Sequence, residues 1–154
     1  MSAPGVADAK LSSDAAQVLY AYARAVDAGD LDTLEAIAHE DVALTRSDGT
    51  KHGRSAFLDL YRGFRDSEKE GSQHVVLNVQ AFPEHGDQVR IHAYFQATMF
   101  ESGGTRVVIG RYEDSLRDDG DGLKFAHKRI TVERVVQLAA STSDWVGVTP
   151  KSEG

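Results

Sequence analysis

The stretch SQHVVLNVQAFPEHGDQVRIHAYF, residues 72–95, decides how the chain is read. Val75, Val76, Leu77 and Val79 are β-branched or bulky and apolar, the composition of a strand. PEHGD (83–87) carries turn residues, and the alternation resumes at Gln88. The stretch therefore reads as a β-hairpin. Period-2 geometry puts His74, Val76 and Asn78 on one face and Val75, Leu77 and Val79 on the other. One face is wholly apolar, and the other carries a titratable base and an amide. That polar face meets either solvent or a cavity.

Working outward, the same pattern continues. Four strand-like stretches, 74–82, 88–100, 105–116 and 123–137, are separated by PEHGD, ESGG and RDDGDG, all hairpin signals. What precedes them has helical spacing. Ser12 or Ser13 can cap a helix whose stripe is Ala15, Val18, Leu19, Tyr22, Ala23 and Val26, with Gly29 as its stop. Asp30 or Asp32 can begin a second helix that turns Leu31, Leu34, Ile37 and Ala38 inward. VALT (42–45) reads as a short strand, and Ser55 can cap a third helix striped by Phe57, Leu60, Tyr61 and Phe64. Helices followed by an antiparallel meander predict an α+β domain. Strands this long curl, and helices across a curled sheet enclose a pocket. The expected boundaries are a flexible arm over 1–10, one domain over 11–138, and a tail over 139–154 whose Trp145 can act as a lid or a subunit contact.

The totals narrow the function classes. The chain has 154 residues, enough for one domain with a core, and a net charge of −7 without a cluster of Lys and Arg. Nucleic acid is therefore not an expected partner. No apolar run reaches the length of a membrane span, and the N-terminus lacks the pattern of a signal peptide. The absence of cysteine excludes disulfides and thiolate catalysis and fits a cytoplasmic location. The histidines at 39, 52, 85, 92 and 127 match no metal-binding spacing, so no metal and no cofactor is expected. His39, in HED, reads as a surface helix end.

Two residues stand out for chemistry. Asp27 lies in the last turn of the first helix, where a carboxylate opposes the helix dipole and a cationic partner would offset the cost. His74 is a lone histidine on a strand. An Asp with a neutral His is a general-base pair in which the carboxylate fixes the tautomer and stabilises the imidazolium. In GRYEDSLRDDGDGLKFAHKRITVERV (110–135), Gly110, Tyr112 and Asp114 share one face, as do Lys128, Ile130 and Val132. The second set reads as a pocket lining with one cation.

The segments YARAVDAGDLDTLEAIAHEDV, QHVVLN, GDQVRIHAYF and GRYEDSLRDDGDGLKFAHKRI resemble a SnoaL-like domain of the nuclear transport factor 2-like superfamily, over residues 12 to 135. The pattern is nearest to scytalone dehydratase, hexachlorocyclohexane dehydrochlorinase and bile-acid 7α-dehydratase. The resemblance implies a cone-shaped α+β barrel, with N-terminal helices on a strongly curved antiparallel sheet that encloses a cavity. It also implies that the polar face at 74–79 lines that cavity. Asp27 and His74 match the family's catalytic pair. Tyr22 matches a cavity-reaching Tyr or Lys, Lys128 a catalytic arginine, Tyr112 a cavity-lining aromatic, and Asn78 an asparagine of the dehydrochlorinase pattern. Phe95, Ala97 and Met99 would add apolar walls with Ile130 and Val132. Ala93 stands where scytalone dehydratase has a second histidine, and Val26 where it has a tyrosine, so scytalone itself is not the expected substrate. The implied activity is a cofactor-independent, dehydratase-type lyase acting on a small hydrophobic cyclic substrate. An isomerase or cyclase could use the same residues. The resemblance extends to non-catalytic β subunits of ring-hydroxylating dioxygenases, which makes a scaffold or ligand carrier the rival reading. It also implies a homo-oligomer, a trimer before a dimer.

Overall fold

The computed structural model describes residue 5 and residues 7–139. The expectation for Trp145 and the tail beyond Ala139 lies outside them. The order is α1 (Ala9–Ala28), α2 (Leu31–Ala36), β1 (Ala38–Arg46), β2 (Gly49–His52), α3 (Arg54–Arg65), β3 (Gly71–Pro83), β4 (Gln88–Glu101), β5 (Gly104–Asp118) and β6 (Leu123–Ala139). The helix α1 begins earlier than Ser12. Asp8 is its cap and accepts from the Leu11 N–H, which satisfies a first-turn donor and places negative charge at the positive end of the helix. Gly29, at φ 66°, ends it. Asp30 caps α2 through the Thr33 N–H, as its sequence position implies.

The strand order is β2-β1-β6-β5-β4-β3. The four long strands form the expected antiparallel meander. The sheet as a whole is mixed, because β1 runs parallel to β6. A helix, not a hairpin, delivers the chain into β1, so nothing forces that strand antiparallel to its neighbour. The curved sheet stays open, with β2 and β3 as its edges, and the helices pack on its concave face. Ala15, Leu19, Tyr22 and Val26 of α1 meet Phe57 and Tyr61 of α3, and Ile91, Phe95, Tyr112, Leu116 and Phe125 of the sheet. No helix among the described residues is long and apolar enough to cross a membrane.

Two local features shape the concave face. The β3–β4 ladder runs in register to Leu77↔Tyr94 and resumes at Gln80↔His92, so β3 carries one extra residue. Asn78 sits in this bulge at φ 51°, a conformation that asparagine tolerates better than most side chains. The bulge turns Val79 inward, out of phase with Val75 and Leu77. Those two remain on the outer face, 40% and 47% exposed. The second feature is Gly110. A Cβ there would lie 2.1 Å from the Thr131 carbonyl oxygen and 2.7 Å from the Phe95 ring. Its absence lets Phe95 stack on Tyr112 at 4.4 Å between centroids, nearly parallel.

Candidate active site

Asp27 and His74 come from opposite layers. The last turn of α1 carries Asp27 over β3, and strand alternation aims residues 72 and 74 at the helix layer. His74 Nδ1 lies 2.6 Å from Asp27 Oδ1. The His74 backbone N–H donates to Oδ2 at 2.7 Å, and the Ser72 hydroxyl donates to Oδ1 at 2.8 Å. These bonds fix the tautomer. With a carboxylate on Nδ1, the proton resides there and Nε2 keeps its lone pair. No described residue bonds that Nε2. The side chains are 10% and 21% exposed, so the pair is sheltered yet reachable. Burial pushes the Asp27 carboxyl up, but the His74 side chain, the His74 N–H and Ser72 together outweigh it and hold the carboxyl below its usual value. The Phe64 ring packs edge-on to the imidazole at 5.7 Å.

Register defines the wall beside the imidazole. His74 faces Ala97, which faces Val108, which faces Val135. The adjacent row is Val76, Phe95, Gly110 and Val132, and Ser72 faces Met99 on the other side. Phe95, Ala97 and Met99 are buried at 4%, 3% and 4%, while Val132 is 52% exposed on the same concave face. The sequence-expected apolar residues are thus on the dyad's side of the sheet, with Ile130 partly buried one row below.

Tyr22 and Tyr112 lie deeper. Tyr61 donates to the Tyr22 hydroxyl at 3.0 Å, and the Tyr112 ring lies 5.8 Å from the Tyr22 ring between centroids. The Tyr22 ring stands edge-on to Tyr61, Tyr112 and Phe125. Burial pushes all three phenols up, so they stay protonated and can only donate or accept hydrogen bonds. The Tyr22 hydroxyl accepts from Tyr61 and keeps its own proton to donate.

Two expected site residues are placed otherwise. Lys128 is on the concave side but is sealed beneath the helix layer. It is fully buried, bonded to Asp114 at 2.7 Å, and its ammonium lies 3.3 Å from the Tyr112 ring centroid and 4.4 Å from that of Tyr22. Burial lowers it to about 8, against the opposing pull of Asp114. A lysine there faces rings and a carboxylate because the inner face at that level is already closed by α1 and α3. Asn78 is exposed in the bulge and lines a cleft of about 470 Å³ with Gln80, His92, Tyr94, Arg111 and Glu113. The extra residue removes it from the face it would share with His74. That cleft does not include Asp27 or His74. Ala93 faces inward and His92 outward against Phe82, as alternation requires. His39 is not at a helix end. It is buried in β1 and bonds to the Arg117 carbonyl oxygen at 2.9 Å. Among the described residues, no group of three or more His, Asp or Glu is placed to hold a metal.

Sequence reasoning missed Ser72, Asp114 and Tyr61 as members of these networks. Two of them had a readable signal. Ser72 is two residues from His74, and Asp114 two from Tyr112, so each shares a face with a residue already singled out.

The model of the SnoaL-like domain matches residues 9–129. No curated protein matches the sequence. Among solved structures, the chain is similar to a candidate scytalone dehydratase from Novosphingobium aromaticivorans, with TM-score 0.75 and 14% identity over 90% of this chain and 94% of that one. A type 2 hexachlorocyclohexane dehydrochlorinase gives TM-score 0.75 and 17% identity over 91% and 100%. A candidate aromatic ring hydroxylase from N. aromaticivorans gives 0.73 and 20% over 82% and 92%. At these identities the likeness speaks for the fold alone.

Proposed function

The chain belongs to the SnoaL-like domain family, and on that premise we propose that it is a cofactor-independent lyase of the dehydratase type, acting on a small hydrophobic cyclic substrate. The observation that carries this reading is the 2.6 Å contact of Asp27 Oδ1 with His74 Nδ1, which leaves Nε2 without a partner among the described residues, at the edge of an apolar wall. His74 Nε2 removes a proton from a carbon next to an activating group. The C–H electron pair forms the new double bond as the C–O bond breaks. The proton then passes from the imidazolium to the departing hydroxyl, so the balance is loss of one water with no outside reagent. Asp27 stabilises the imidazolium while it exists. The tyrosine cluster supplies the spare hydrogen bond to an oxygen of the substrate. If the proton returns to another carbon, the same residues perform isomerisation or cyclisation.

The test is a panel of small cyclic β-hydroxy carbonyl compounds assayed with the wild type, His74→Ala and Asp27→Asn, each confirmed folded by circular dichroism. His74→Ala is expected to lose nearly all turnover. Asp27→Asn is expected to bind substrate and to lose about 10²–10⁴ in rate, the usual contribution of a positioned general base. Wild-type turnover in both variants would end the proposal and favour the scaffold or carrier reading.

A further inference from the structure

We infer that Ser72 is a positioning residue for the base, one that holds the Asp27 carboxylate in the plane of the His74 ring and keeps water off the oxygen the ring uses. This rests on the reading of His74 as the base. The geometry is specific. Oδ1 of Asp27 receives two donors, Ser72 Oγ at 2.8 Å and His74 Nδ1 at 2.6 Å, while Oδ2 receives the His74 backbone N–H at 2.7 Å. A carboxylate oxygen has two lone-pair sites, so Ser72 and His74 fill Oδ1 between them. All three donors come from one three-residue span of β3, whose period-2 geometry delivers residues 72 and 74 to the same face.

An aspartate needs such a clamp here. The terminal torsion of an aspartate is broad and roughly two-fold, so one bond to a ring nitrogen does not fix the carboxylate plane. Asp27 is also in the last turn of α1, where exposed carbonyls repel it, and that turn holds no basic residue. Asp27 is about one-fifth exposed, so water can compete for any lone pair left open. Ser72 closes the second site on Oδ1, the oxygen that the ring uses. Its hydroxyl is spent on Asp27, so Ser72 acts through the carboxylate and not on the substrate.

The test begins on the free protein. In wild type, Ser72→Ala and Ser72→Thr, the Asp27 carboxyl carbon is titrated by NMR, and the His74 Nδ1–H proton resonance is followed. Ser72→Ala is expected to move the Asp27 midpoint upward, because one of the bonds that lowers it is gone, and to shift the Nδ1–H resonance. Ser72→Thr keeps the hydroxyl and is expected to restore both. With a turned-over substrate, Ser72→Ala is expected to lower kcat about tenfold, the scale of one lost charge-assisted hydrogen bond, with KM unchanged. Ser72→Cys, which preserves volume with a weak donor, replaces Ser72→Ala if the latter does not fold. An unchanged Asp27 midpoint together with unchanged kcat overturns the inference. So does a change in KM alone, which would make Ser72 a substrate contact. Should His74→Ala retain activity, the proposed reaction fails, while the NMR titration still reports on the Ser72–Asp27 bond.

Discussion

Two carboxylate–base pairs face the concave side of one sheet, and their surroundings differ in kind. Asp27 and His74 are 21% and 10% exposed, and no described residue bonds the second imidazole nitrogen. Asp114 and Lys128 have no exposure at all. Asp114 spends one oxygen on the Lys128 ammonium and the other on the Arg129 N–H, while aromatic rings surround the lysine. A pair with no exposed atom cannot meet a ligand. A pair at the rim can. Residue type suggested a role for both His74 and Lys128; burial separates them. Lys128 sits beneath the tyrosines, where its charge holds the rings together through cation–π contacts.

The strongest break in this comparison comes from opening the sealed pair. Lys128→Ala leaves Asp114 charged, buried and without its main partner. The expected loss is about 3–5 kcal/mol, the cost of removing one member of a buried ion pair. Urea unfolding followed by tyrosine fluorescence measures it. The equivalent lesion in the rim pair, His74→Ala, is expected to cost stability far less and turnover far more.

A smaller effect is expected when the sealed pair is replaced as a unit. Asp114→Leu with Lys128→Met exchanges two charges for apolar groups of similar size, a change that elsewhere is neutral or stabilising by about 1–4 kcal/mol. The double variant is expected to fold, to keep a urea midpoint near or above that of the wild type, and to retain most turnover. No such substitution exists for Asp27 and His74. If the double variant is stable but inactive, Lys128 belongs in the chemistry after all.

The four long strands and their hairpins were legible because alternation and turn residues coincide at PEHGD, ESGG and RDDGDG. The Asp27–His74 contact was expected from the family resemblance, with Asp27 directly after an apolar stripe at a helix end and His74 on an otherwise apolar strand. What alternation could not give was which face turns inward. Val75 and Leu77 ended outside, and His74 and Val76 line the concave side. Nor could it foresee the bulge at Asn78, since one inserted residue inverts every face assignment beyond it. The parallel docking of β1 on β6 is a long-range choice with no local signal. Burial of Lys128 depends on helices packing above it, a tertiary fact absent from any strand pattern.

The subtlest separation of the two pairs is expected in acid. Burial raises the Asp114 carboxyl above the usual 3.8, with Lys128 opposing in part, whereas the bonds to Asp27 outweigh burial and hold it below 3.8. The signs follow from proton linkage. Above 3.8, as pH falls through the raised value of Asp114, the folded state binds its proton before the unfolded chain does, so this group's contribution makes the protein more stable as pH falls. Below 3.8, the unfolded chain has protonated Asp27 while the folded state has not. The stability Asp27 contributes is full above 3.8 and is lost as pH falls through its depressed value. Urea unfolding at closely spaced pH values between 7 and 3 reads both. Other carboxylates add to the wild-type curve, so the difference curves carry the information. Wild type minus Asp27→Asn is expected to fall only in the lower window. Wild type minus the Asp114→Leu, Lys128→Met double variant is expected to rise with acid in the upper one. Difference curves of the same sign in both windows would mean that the two carboxylates share one kind of environment, and the contrast between a rim pair and a sealed pair would not hold.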